Sequence, residues 1–169
     1  MARPDLKNVP PFYHGYIMQV QQEDAVPAVE LHAQQTSSFL ETIPESKWMH
    51  AYDKGKWTIK ELVQHLIDAE RVFAYRALRF SRKDLTPLPG FDENLFTANS
   101  AANRRSPQDI LQEMKLVSQS SLHLFKSFNE EQLQSTGIAN GSSVSVEAIG
   151  FILAGHALHH VRILKERYL

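Results

Sequence analysis

The chain contains no cysteine. That excludes disulfides, zinc knuckles, iron–sulfur clusters and cysteine nucleophiles, so any thiol chemistry needs a thiol brought from outside. Charge of one sign is not in excess either. The 18 Lys and Arg stand against 19 Asp and Glu, and no segment gathers the basic residues into a stripe. A phosphate-tracking surface needs such a stripe, so nucleic acid is not an expected partner. No apolar run approaches the length of a membrane span, and Met1-Ala2-Arg3-Pro4-Asp5 lacks the apolar stretch of a signal peptide. The expected location is cytoplasmic, with no membrane partner. Strand patterns are scarce: Val144 and Val146 alternate with serine and glutamate, but the run is short and leads into a helix. Gly141-Ser142-Ser143 lacks the lysine of a phosphate-binding loop. The length, 169 residues, suits a single domain spanning 1–169.

What is present is helical periodicity between breakers. A first helix is expected from about Asp24 to Thr42, with Asp24 as N-cap, Pro27 in the first turn and Pro44 beyond the end. Its inner face reads Val29, Ala33, Thr36, Leu40 and Ile43. A second is expected from Ile59 to Lys83. Thr58 and Glu61 have capping-box spacing, and the stripe takes in Leu62, Leu66, Ala69, Val72, Phe73, Ala77 and Phe80. A long connection follows. Its apolar residues predict a packed crossover, with a short helix near Glu93 to Asn99. Ser106-Pro107 opens the third long helix, which reaches about Phe128. Gly137 to Ser145 reads as a polar loop with a turn at Asn140-Gly141. The last helix is expected from Val146 to Tyr168. Four long helices with one long crossover, between the second and third, predict an all-α four-helix bundle.

The last helix carries the most informative residues. Its seam runs Val146, Ile149, Leu153, His156, His160, Ile163, with steps of three and four. His156 and His160 therefore stand one turn apart where the pattern calls for Leu or Ile. Two imidazoles side by side in a core are costly unless they are hydrogen-bonded or share a ligand. A divalent metal is the simplest shared ligand. His65 lies within or beside the stripe of the second helix. If the two helices pack together, it completes a three-histidine set with a position left open, the catalytic rather than the structural type of site. His159 points about 100° away from His160 and is not an expected ligand. His14, His32, His50 and His123 have no partner at ligand spacing and read as surface or half-buried residues. Glu30 and Glu70 read as solvated, and Trp48 and Trp57 as core or loop anchors.

Several stretches together resemble one family. They are Gly55-Lys56-Trp57-Thr58-Ile59-Lys60-Glu61, His65-Leu66-Ile67-Asp68-Ala69-Glu70-Arg71 with Arg76, Leu88-Pro89-Gly90-Phe91-Asp92, and Gly155-His156 with His159-His160. They resemble the DinB-like (YfiT-like) family, bacterial bundles regarded as metalloenzymes and named from a DNA-damage-inducible gene. The resemblance runs through most of the chain. It implies a four-helix bundle with metal ligands at His65, His156 and His160, Zn or Ni as the ion, and water completing the coordination. In some subgroups it implies thiol-dependent transferase or isomerase chemistry using bacillithiol or mycothiol. Many members have no known activity. Relatives also form dimers, so a homodimer is consistent with the resemblance, although no residue here requires one.

Asp68 and Arg76 belong to the same motif and are the candidates for catalytic roles. Asp68 lies one turn after His65 and has two readings: accepting a hydrogen bond from a ligand imidazole, or serving helix packing. Arg76 either holds a substrate carboxylate or pairs with an acidic residue such as Glu93. Three functional readings follow. The first is a metal-dependent enzyme acting on a small molecule, as a thiol-dependent S-transferase with an external low-molecular-weight thiol or as a metal–water hydrolase. The second is a non-enzymatic metal-binding bundle for stress response or interaction, expected to lack a roomy pocket above the metal. The third is a scaffold with hydrogen-bonded core histidines. In the metal readings, stabilisation by metal is expected to fade as pH drops through about 6.5, the unperturbed histidine value.

Overall fold

The computed structural model describes residues 3–169. A short α1 (His14–Ile17) leads to α2 (Ala25–Glu41), α3 (Ile59–Ser81), a short α4 (Glu93–Asn99), α5 (Pro107–Lys126), a short α6 (Glu130–Gln134) and α7 (Val146–Ile163). A wider π-type turn, Leu164–Tyr168, continues α7. The expected bundle is present, with long helices ending within about two residues of the periodicity, apart from the π-type last turn.

Their starts are fixed by side chains that satisfy first-turn amides. Thr58 Oγ1 accepts from the Glu61 amide while Glu61 Oε2 accepts from the Thr58 amide at 2.8 Å, a complete capping box. Ser106 accepts from Asp109 and is followed by Pro107 at the first helical position. Ser145 accepts from Ala148 at the head of α7, and Asp92 Oδ1 caps α4 through Asn94 and Leu95.

Around the bundle the long helices follow the order α2, α7, α3, α5. The helices successive in sequence, α2 and α3, are therefore diagonal, and so are α5 and α7. The connection 82–106 joins neighbours, whereas the connections 42–58 and 127–145 cross the end of the bundle.

The last of these connections is more ordered than a polar loop. Thr136–Ala139 (β1) and Ser142–Ser145 (β2) form an antiparallel hairpin. Its turn places Asn140 at φ 51° and Gly141 at φ 74°. Two positive φ values match the primed turn that suits strand twist, and Asn-Gly is the pair that adopts them most readily. Each strand has only four residues and β2 is mostly serine, so alternation gives little sign of them. The hairpin is held by the crossover: the Leu88 amide donates to Ile138 O at 2.9 Å and Leu88 O accepts from Asn140 at 3.0 Å. Leu88 is buried as a packed crossover requires, yet Leu85 and Leu95 of the same connection are mostly exposed.

The core divides into two apolar clusters. One contains Ala25, Ala28 and Val29 of α2, Phe73, Ala77 and Phe80 of α3, Phe125 of α5 and the first half of α7. The other contains Leu40, Leu62, Val63, Leu66, Ile67, Ile110, Met114 and Leu164. At the changeover every long helix buries polar residues: His32 and Thr36 on α2, His65 and Glu70 on α3, Ser118 and Ser121 on α5, His156 and His160 on α7. A polar stratum thus crosses the whole bundle. Two expectations change here. His32 is buried, with Nε2 3.1 Å from Gln22 Oε1. Glu70 is also buried, accepting from Ser118 Oγ at 3.0 Å. Single polar residues beside an apolar stripe read as solvent-facing until a neighbouring helix covers them.

Candidate metal centre

On α3 the stripe Leu62, Leu66, Ala69 turns toward α7, and His65 lies on that side. On α7 the seam brings His156 and His160 to the same level. His65 Nε2 is 3.0 Å from His156 Nε2, and His160 Nε2 is 3.1 Å from that same nitrogen. The three side chains each offer a nitrogen within 4.8 Å of the others. The convergence expected from the spacing is present.

All three rings are held neutral. Burial lowers the His65 pKa to about 4, with Glu93 opposing. Burial lowers His160 to about 3, helped by the neighbouring His65 and His159. His156 lies well below its ordinary value, chiefly through burial and then through the three surrounding histidines. Neutral imidazole is the metal-binding form.

The arrangement fits a metal better than it fits mutual hydrogen bonds. A neutral imidazole has one N–H and one in-plane lone pair. Both close contacts converge on the single Nε2 of His156, which can serve one in-line partner well. His160 Nδ1 is buried with no partner among the described residues. A tetrahedral ion with bonds of about 2.1 Å holds its ligand nitrogens about 3.4 Å apart. The observed gaps of 3.0 and 3.1 Å fall only a few tenths short, so small ring movements would seat an ion. Among the described residues no group braces the His160 ring through its Nδ1.

The other candidates are placed as follows. His159 is half-buried beside the centre, its Nδ1 3.4 Å from Arg162 and its ring 5.3 Å from Tyr16. The Asp68 carboxylate accepts from Gln64 Nε2 at 3.0 Å and lies 3.9 Å from Arg71, so it serves its own helix and not an imidazole. Its pKa is raised, first by burial. Arg76 is buried, donates from Nη2 to Pro89 O at 2.9 Å, and forms no ion pair with Glu93.

A cavity of about 380 Å³ opens above the histidines. Its wall includes Tyr13, Tyr16, Trp57, Phe73, Phe91 and Arg76, with Glu93 and Asn140 also on the border. Trp57 is therefore a cavity residue as well as an anchor, its ring centroid 5.0 Å from that of His65. Trp48 is wholly buried, as read from the sequence. The N-terminal residues also contribute to this wall, which helix periodicity does not predict. Tyr13 and Tyr16 stand three apart after Pro10-Pro11, and that aromatic pair beside a helix-starting proline was the available signal. The close approach of α1 depends on Gly155: a Cβ there would strike the backbone carbonyl of Tyr16. Tyr16 in turn packs edge-on to His156 at 5.5 Å. Its hydroxyl pKa is raised by burial, then by Tyr13 and Glu93, so it stays protonated at neutral pH.

Residues 28–164 match the DinB superfamily. Several solved structures share the fold, among them these two. One is YfiT from Bacillus subtilis, described as a probable metal-dependent hydrolase with an unusual four-helix bundle topology. It has a TM-score of 0.71 at 16% identity, with 84% of this chain and 82% of that chain covered. The other is a mycothiol-dependent maleylpyruvate isomerase, with a TM-score of 0.70 at 12% identity. There 94% of this chain matches 62% of the isomerase, so this chain spans less than two thirds of it. No curated protein matches the chain by sequence.

Proposed function

Because the chain belongs to the DinB superfamily, we propose that it is a metal-dependent enzyme in which His65, His156 and His160 hold a divalent transition metal, zinc or nickel. The observation that carries this reading is the convergence of three neutral imidazoles at the floor of an open cavity. When bound, such an ion supplies a Lewis acid with a vacant position that can activate water or a thiol at neutral pH.

The chain's own residues supply the rest. The aromatic wall excludes water and presents flat apolar surface to a small organic substrate. Tyr16, protonated at neutral pH, offers a hydroxyl donor next to His156. Arg76 offers a fixed positive charge. Two reactions suit this equipment: hydrolysis, as proposed for YfiT, and transfer to or from a low-molecular-weight thiol, in keeping with the mycothiol dependence of the isomerase. The absence of cysteine fits a thiol supplied from outside. A small molecule and not nucleic acid is the proposed partner, since basic and acidic residues balance. Among the described residues no helix is long and apolar enough to cross a membrane.

The cavity weighs against a metal-binding bundle without catalysis, which has no use for a roomy space above the ion. The doubly approached His156 Nε2 weighs against a scaffold of hydrogen-bonded histidines. Elemental analysis of untagged protein tests the metal. Paired screens of the loaded protein, ester and amide hydrolysis against thiol plus electrophile, test the reaction. Protein that takes up less than about half an equivalent of zinc or nickel would defeat the reading.

A further inference from the structure

Arg76 is an unusual resident of this cavity. It is 4% exposed. A guanidinium carries five N–H donors and cannot shed its charge. Among the described residues its one hydrogen bond is to Pro89 O, and its Cζ stands 6.0 Å from the Phe73 ring. Among the described residues no carboxylate lies within ion-pair distance of it. Arg76 lines the cavity. A charge held in a protein without a counter-ion is costly, and an anion bound beside it would relieve that cost.

Its position relative to the histidines is set by the helix. Arg76 follows His65 by eleven residues, which is close to three turns, so both project from the same side of α3. The two Cα atoms are roughly 16 Å apart along the axis. Side chains lean toward the helix N-terminus, so the long arginine reaches back toward the histidines. The Phe73 ring links the two groups, its centroid 5.9 Å from that of His156 and 6.0 Å from Arg76 Cζ, and all three residues line the cavity.

We propose that Arg76 is the subsite for the carboxylate of the substrate, and that the substrate is a monoanionic organic acid with an apolar or aromatic body. This deepens the enzyme reading above and rests on its cavity. One guanidinium matches one carboxylate through two parallel bonds. The border of the cavity argues for a single charge. Glu93 lines the same cavity as Arg76, so a doubly charged phosphate there meets an opposing carboxylate. The bond to Pro89 O orients the guanidinium and ties it to the crossover.

The test is calorimetric titration of chelated, untagged protein with three probes: 3-phenylpropanoate, 3-phenylpropanamide and phenyl phosphate. The acid should bind at least about tenfold more tightly than the amide, the size of one charge-assisted interaction, and more tightly than the phosphate. Arg76→Met should abolish the preference for the acid, and Arg76→Lys, which keeps the charge but not the paired bonds, should keep a weaker one. The wild-type comparison stands even where a variant fails to fold. Equal binding of acid and amide overturns the proposal. So does a preference for the phosphate, or a preference that survives Arg76→Met. A preference seen only after zinc loading overturns it too, because the carboxylate is then a metal ligand. Loss of melting temperature in Arg76→Met with the preference intact makes the residue a clamp for the crossover, which also overturns it. Zinc uptake is read separately: a protein that takes up no zinc yet selects the acid refutes the metal and retains the subsite.

Discussion

His65 Nε2 and His156 Nε2 face each other at 3.0 Å across the contact between α3 and α7. Because His160 Nε2 approaches the same atom at 3.1 Å, three nitrogens of one type point at one small volume. Burial holds each ring neutral, so the set is arranged to receive a cation without first losing protons.

Metal affinity should therefore outlast the usual histidine range. From the unperturbed value the site would fail as pH falls through 6.5. In the fold, His65 titrates at about 4 and His160 at about 3. Zinc titrations at pH 7.5 and 5.5 should give affinities within about tenfold of each other. A hundredfold loss by pH 5.5 would show that the rings protonate as in water.

Substitution should separate the neighbours in α7. His65→Ala, His156→Ala and His160→Ala should each lose most of the bound metal. His159→Ala should keep it, because that ring faces Tyr16 and Arg162. Metal content by elemental analysis decides, and equal loss in the His159 and His160 variants would contradict the assignment.

Glu70 and the histidines should pull the stability of chelated protein in opposite directions. The depressed histidines contribute stability that is present above about pH 6.5 and lost as pH falls toward their folded values. Burial raises Glu70 to about 7, against the pull of its serine hydrogen bonds. Its contribution is complete below about pH 4.5 and lost as pH rises through 7. Glu70→Gln copies the protonated form. It should gain roughly 2–3 kcal/mol at pH 8 and almost nothing at pH 4.5, read from urea melts. A gain that is the same at both pH values would mean that Glu70 does not titrate as stated.

Gly155→Ala tests the cavity wall. The added methyl meets the Tyr16 backbone, which cannot swing aside as a side chain would. Overpacking of this kind costs about 1–3 kcal/mol. Displacement of α1 should also weaken binding of an aromatic probe in the cavity while metal uptake persists, since all three imidazoles lie on α3 and α7. Unchanged stability with unchanged probe binding would mean that α1 does not dock as closely as described.

Much of this was legible because the signals were local. Thr58 with Glu61 and Ser106 with Pro107 mark helix starts through contacts within one turn. His156 and His160 declare a shared face by spacing alone. What escaped depended on partners distant in sequence. The buried state of His32 and Glu70 is decided by the helices that cover them. The hairpin 136–145 owes its order to the Asn140-Gly141 turn and to Leu88, almost fifty residues earlier. Tyr16 becomes cavity wall because Gly155 lets α1 approach, and Tyr13 stands just before that helix. The diagonal placement of α2 and α3 has no local signature.

That diagonal placement carries a cost in time. Most helical bundles form quickly because sequence neighbours pack as hairpins, so little chain must be closed into loops first. Here α2 cannot zip onto α3, and its partners, α5 and α7, lie far along the chain. Large loops must close before either apolar half is complete. The chain should fold more slowly than its helix content suggests, and the histidine centre, which needs α7, should be among the last parts to form.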